Sequence, residues 1–202
     1  IYSGPSVITG APIVCIATLK TRNRKTGRMV QTWILNSDHD PIESSKRGTD
    51  SNVCGNCPQR HHLGGKCYVN LGQAPNQIYK AWKRGRYPVY NPELHDKYLQ
   101  GRKIRFGAYG DPCAVPISIW QGLKDLSSGW TGYTHQWATC KKDYQRFLMA
   151  SVDNEQEARE ASAAGWRYFR TQPAEFPKIL KYEIQCPASA ENPKTTCEKC
   201  TL

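Results

Sequence analysis

The chain has 202 residues, 39% hydrophobic and 22% charged, and 28 Lys and Arg against 17 Asp and Glu give a formal net charge of +11. That length suits one domain and buries a real core without staples, and the balance is ordinary for a globular protein. No apolar run approaches the roughly 18 residues of a membrane helix, which excludes a bilayer span, while the basic excess favours polyanions such as nucleic acid.

In chain order, residues 1 to 50 read as β. Residues 13–18 and 28–35 are β-rich runs, and the turn formers at 23–27 between them predict a hairpin. Residues 36–66 are loop-rich. Residues 77–84 read as a short helix with Ile78, Ala81 and Trp82 on one face, ended by Gly85. Residues 87–100 hold several prolines and tyrosines and read as irregular. From residue 102 the elements alternate. A strand at 104–109 precedes a helix at 116–126, with proline in its first turn and Ile119, Leu123 and Leu126 on one face. A strand at 130–134, a short helix near 140–145 and a strand at 147–152 follow. Asp153 then caps a helix through Ala164, with Gln156 as capping partner and Gly165 as the stop. Strands at 166–170 and 179–184 lead into Cys186. Such alternation with short loops implies parallel strands joined by right-handed crossovers. The expected fold is a single α/β domain over 1–202. It is a partial (β/α) barrel with a mostly parallel sheet, an N-terminal β-hairpin and a cysteine-rich tail from residue 186.

In such folds the chemistry collects at the carboxyl ends of the strands. Those ends carry Gly110-Asp111-Pro112, His135-Gln136, Ser151 to Asp153 and Arg170-Thr171. Gly110 and Asp111 form either a plain turn or a turn presenting a carboxylate to an ammonium or hydroxyl of a ligand. His135 reads as a structural residue, a base or a ligand, and Arg170 as a surface residue or an anion holder.

Nine cysteines, an odd number, fit a closed disulfide framework poorly. Six fall into two groups, Cys54-x2-Cys57-x9-Cys67 and Cys186-x10-Cys197-x2-Cys200. A CxxC turn aims both thiolates at one metal centre because the short loop brings the sulfurs to one side. Gly55 and Asn56 tolerate the left-handed backbone such a loop needs, and Cys57 and Cys186 each precede proline, a step common beside iron–sulfur ligands. Three thiolates per group favour a [4Fe-4S] cluster with one iron open. Zinc remains the alternative, since His61 or His62 completes a Cys, Cys, His, Cys set. The two groups serve two clusters or pool their ligands for one. Cys15 lies in an apolar run and reads as core, while Cys113 and Cys140 follow strands and are candidate fourth ligands. Basic residues run through 20–25, 80–86 and 102–105, and Lys83, Arg84 and Arg86 beside Trp82 and Tyr87 form the better candidate for single-stranded nucleic acid.

The cysteine loop at Cys54, Cys57 and Cys67-Tyr68, ahead of the alternating strands, and Ala108-Tyr109-Gly110-Asp111-Pro112 after one of them resemble radical S-adenosylmethionine enzymes. That resemblance implies a [4Fe-4S] cluster with an open iron, S-adenosylmethionine held in part by Gly110 and Asp111, and an auxiliary cluster at Cys186, Cys197 and Cys200. The spacing is CxxCx9C where that family has CxxxCxxC, and Asp111 stands where it has Glu. The chain is also similar, over most of its length, to small cysteine proteins encoded by phages and plasmids. Those share a Lys-Thr-Gly (Lys25-Thr26-Gly27), a Cys-Tyr pair, a Gly-Asp turn and a Cys-Pro…CxxC tail. The expected setting is cytoplasmic, that of a host cell if the chain is phage-encoded. A non-catalytic iron–sulfur or zinc module that binds nucleic acid or a host protein is the competing expectation.

Overall fold

The computed structural model describes residues 1–172, 179–188 and 195–200. Seven strands form one sheet in sequence order: β1 (Tyr2–Pro5), β2 (Pro12–Thr18), β3 (Val30–Asn36), β4 (Lys103–Tyr109), β5 (Gly129–Thr134), β6 (Met149–Val152) and β7 (Tyr168–Arg170). The first three are antiparallel neighbours, and β3 to β7 run parallel. β1 and β7 are the edges, so the sheet is open. The expected N-terminal hairpin is β2–β3, and β1 adds a strand that four residues with half-buried alternation did not advertise.

Among the described residues six α-helices occupy the connections: α1 (Pro41–Arg47), α2 (Ser51–Cys54), α3 (Ala74–Lys83), α4 (Pro92–His95), α5 (Ile117–Leu126) and α6 (Glu155–Ala163). α5 covers one face of the sheet, where Phe106 of β4 packs on Trp120 at a ring separation of 4.7 Å. Alternation along β4 then sends Arg105 to the other face, level with Gln31 of β3 and Thr131 of β5. The core combines Ile13, Val30, Ile34, Ile104, Phe106, Trp120, Leu148 and Ala161, all fully buried.

Four expectations change. Residues 36–66 are not only loop: Asp40 Oδ1 accepts from the backbone N of Ile42 (2.9 Å) and Glu43 (3.0 Å), Pro41 opens α1, and Gly48 closes it. The stretch 87–100 contains α4 and a 3-10 turn at Asp96–Tyr98. The cap of α6 is Asn154, whose Oδ1 accepts from Glu157 N at 2.9 Å, while Glu157 Oε2 accepts from Asp153 N at 2.9 Å. The capping box is displaced by one residue, which leaves the Asp153 carboxylate for other work. No strand forms at 179–184; Glu183 N donates to Leu180 O at 2.9 Å in a turn there. The Glu183 carboxylate of that turn accepts from Arg170 Nε and from Leu180 N.

Candidate metal centre

The first cysteine group follows β3, the first strand of the parallel set. Asp50 precedes α2 and Cys54 ends it. The chain then loops out and returns on Arg60, whose Nε and Nη2 both donate to Asp50 Oδ1 (3.0 and 2.8 Å). Nη2 also reaches Gly48 O (2.9 Å) and Nη1 reaches Gly55 O (3.1 Å). Both side chains are nearly buried, 10% and 6% exposed, so the pair is held in a weakly screening environment. Cys67 is drawn back by its N–H donating to Gln59 O at 2.9 Å. From the far side Gln136 clamps the CxxC turn: its Nε2 donates to Cys54 O (3.3 Å) and its Oε1 accepts from Asn56 N (3.3 Å). Gly55 lies between, at φ 56 and ψ −132. The positive φ favours glycine, and an added Cβ would stand 2.5 Å from the Gln136 amide carbon and push that clamp aside. Gly55→Ala is expected to cost about 2 kcal/mol, read as a lowered urea midpoint with an unchanged slope.

This fold brings Cys54, Cys57 and Cys67 within electrostatic reach of one another. Burial pushes the Cys54 thiol far up, and Cys57, Asp50, Cys67 and Asp111 push it further. Burial also raises Cys67, with Cys57 and Asp50 adding to it. Thiols that repel one another's charge beside two carboxylates gain from a bound cationic centre, which is the donor chemistry of a metal–thiolate site. Among the described residues no three Cys, His, Asp or Glu side chains stand at the separations of a single-ion site.

The rim is built from the carboxyl ends of the next strands. Asp111 is buried, and its two carboxylate oxygens accept from Cys113 N and His135 N, each at 2.9 Å. As it stands, the carboxylate joins the ends of β4 and β5, and burial raises its pKa above the usual carboxylate value. Gly110 at φ 78 lets the turn pass Ile34, whose Cβ would stand 2.7 Å from an added one. Asp153 Oδ1 accepts from Gln59 Nε2 (3.0 Å) and Thr171 Oγ1 (2.7 Å), tying the cysteine loop to β6 and β7. Its Oδ2 faces His135 Nε2 at 3.4 Å. Contact with His135 outweighs burial and holds Asp153 at about 2. Burial opposes charge on His135, but Asp153 and the Cys57 sulfur prevail and lift it to about 10.

Arg170, expected as an anion holder, has its anion within the chain. Its Nε donates to Glu183 Oε1 at 2.8 Å and its Nη2 to Oε2, with both side chains 10% exposed. That pair fastens the segment leading to Cys186 onto β7. The Arg170 contact holds Glu183 at about 2, below its ordinary 4.5. A depressed acid stabilises the fold above its unfolded value and loses that contribution as the pH falls through the folded one. Glu183→Gln is therefore expected to cost about 2 kcal/mol at pH 7. The difference from the parent should shrink between about pH 4.5 and about pH 2, as read by denaturation midpoints across that range.

The second group is anchored at the opposite edge of the parallel strands. Cys197 N donates to Lys25 O at 2.8 Å, Arg28 N donates to Glu198 Oε2 at 2.9 Å, and Lys103 Nζ donates to Glu198 O at 2.6 Å. Cys197 lies within electrostatic reach of Cys186 and Cys200. Burial raises its thiol most, while Arg105 and Lys25 lower it. Arg105 is itself buried and donates to the hydroxyl of Tyr68 at 2.6 Å, so one guanidinium stands between the residue after Cys67 and the tail cysteines.

Of the remaining cysteines, Cys15 is fully buried and its thiol is pushed up to about 12, as suits a core residue. Cys113 is buried past β4, with Thr134 Oγ1 3.2 Å from its sulfur, and Cys140 is half-buried past β5. In the aromatic–basic stretch Trp82 and Tyr87 are partly buried against the core while Lys83, Arg84 and Arg86 are exposed, with Lys83 Nζ 5.1 Å from the Trp82 ring centre. Arg60 and Gln59 were missed by sequence reasoning, and Gln136 was named only for its place at the end of a strand. No family model, curated protein or solved structure matches this chain. Among the described residues no helix is long and apolar enough to cross a membrane.

Proposed function

We propose that the chain is an iron–sulfur protein in which Cys54, Cys57 and Cys67 ligate a [4Fe-4S] cluster at the carboxyl edge of a radical-SAM-like partial (β/α) barrel. Cys186, Cys197 and Cys200 would ligate a second. The observation that carries the reading is the convergence of three mutually repelling thiols on the loop after the first parallel strand, beside the Gly110–Asp111 turn of the next. When bound, such a cluster supplies one-electron reduction, which in this resemblance is directed at S-adenosylmethionine. The chain's own residues hold the site. Arg60 and Gln136 fix the loop, Asp111 locks two strand ends together, and His135 lies within electrostatic reach of the Cys57 sulfur. Free thiols in these numbers suit a reducing compartment such as the cytoplasm.

The test is metal and sulfide analysis, with absorption and EPR spectra, on protein purified without oxygen. Brown protein with about four irons and four sulfides per cluster supports the reading; colourless protein containing zinc overturns it.

A second reading, a structural metal module that binds nucleic acid, draws on one observation. Arg28, Arg102, Lys103 and Lys199 line a groove of about 490 Å³ at the edge opposite the first cysteine group. Steeply salt-dependent binding of DNA or RNA would favour it, and no binding at low salt would remove it.

A further inference from the structure

Three guanidiniums are largely buried, and two of them have a carboxylate: Arg60 faces Asp50 and Arg170 faces Glu183. Arg105 is the third. It is 8% exposed and forms no ion pair among the described residues. Its Nη2 donates to the hydroxyl of Tyr68 at 2.6 Å, a neutral acceptor, and its Nε and Nη1 have no hydrogen-bond partner among the described residues. Two residues back on the same face of β4, Lys103 is likewise held by a neutral oxygen, Glu198 O at 2.6 Å. A buried cation without a counter-charge is strongly unfavourable, so its retention calls for an anion from outside the chain.

The face on which Arg105 stands is unlike the one beneath α5. Partners in parallel strands share a face, so Gln31, Arg105 and Thr131 stand in one row, and Tyr133 follows two residues along β5. This face is polar where the covered face carries Ile104 and Phe106. Tyr68 is 80% exposed and also lines a groove of about 490 Å³, so the approach to the guanidinium is open on its side.

We propose that Arg105 is the anchor of an oxyanion site on the polar face of the sheet, which takes the phosphate group of a small phosphate monoester. An arginine fork presents two parallel N–H donors to two oxygens of one anion. Lys103 adds a second positive charge on the same face, which matches the nearly double charge of a phosphate monoester at neutral pH better than the single charge of a carboxylate. Tyr68 holds the place of the anion on Nη2 while the site is empty. The site does not depend on the iron–sulfur reading, because none of its groups is a candidate metal ligand.

The full chain, purified without oxygen, is titrated with inorganic phosphate at constant ionic strength by calorimetry, and its iron content is measured on the same preparation, so the cluster reading is scored separately. The expected result is saturable binding to one site. Arg105→Lys keeps the charge but loses the fork, and should weaken binding about tenfold. Tyr68→Phe, at an exposed side chain that leaves the core intact, frees Nη2 and should tighten binding roughly threefold. Arg28→Ala, in the groove at the amino edge and 93% exposed, should leave the affinity unchanged. Malonate, a dicarboxylate, should bind more weakly than phosphate. No saturable binding by the parent, an affinity the same in Arg105→Lys and Tyr68→Phe as in the parent, loss of binding in Arg28→Ala, or tighter binding of malonate than of phosphate overturns the proposal.

Discussion

Arg60→Ala is expected to destabilise the metal-free chain by about 3–5 kcal/mol. The guanidinium makes four hydrogen bonds, two to Asp50 and one each to Gly48 O and Gly55 O. Removing it strands a carboxylate on a residue only 4% exposed, together with two carbonyls. The larger part of the cost is that uncompensated charge rather than the lost contact. The double variant Arg60→Met with Asp50→Leu should therefore recover much of the stability, because neither charge is then left behind. Urea denaturation of the single and double variants reads both effects. A loss below about 1 kcal/mol for Arg60→Ala is what a solvated surface pair gives, and it would show that Arg60 does not organise the loop.

Arg60 also marks where sequence reasoning stops. In the sequence it stands beside His61 and His62 and looks like surface, because its partners converge only after α2 and the loop have folded. The strands were legible because apolar alternation and turn formers are local. β2, β4 and β5 lie within one residue of their expected starts, and β3 starts two residues late. Asp40-Pro41 was an equally local signal for α1, hidden by the surrounding turn formers. The cap of α6 slipped by one residue because Asp153 and Asn154 are both good caps, and the choice fell to the one whose partner, Glu157, lies three residues on. The supposed strand at 179–184 has strand-like composition, but Glu183 there accepts from Arg170 and from Leu180 N in a turn. The cysteine groups were legible by spacing alone. Their clamps were not, since Gln136 reaches Asn56 across 80 residues and Gln59 reaches Asp153 across 94. Asp111 shows the same limit: the turn was visible, and the two backbone donors that occupy its carboxylate were not.

On the iron–sulfur reading proposed above, Cys54→Ser is expected to remove the iron of the first centre while leaving the second intact. A serine hydroxyl ionises far less readily than a thiol and is a hard oxygen donor, so it holds iron less well than the thiolate it replaces. The geometry makes the count informative. The first group lies at the carboxyl edge of the parallel strands, around Arg60 and Gln136. The second is anchored at the amino edge, through Lys25 and Lys103. If the two groups hold separate clusters as proposed, the parent should carry about eight irons, and Cys54→Ser and Cys197→Ser about four each. Cys15→Ala, in the core and away from both groups, should keep all of them at some cost in stability. Iron and sulfide analysis on the four proteins, all prepared without oxygen, decides between arrangements. If Cys54→Ser and Cys197→Ser each lose all their iron, the six cysteines pool their ligands for one centre, and the chain between the edges must close further than its open sheet does. If Cys197→Ser loses none, the tail cysteines serve the structure alone and the first group is the whole of the cofactor site.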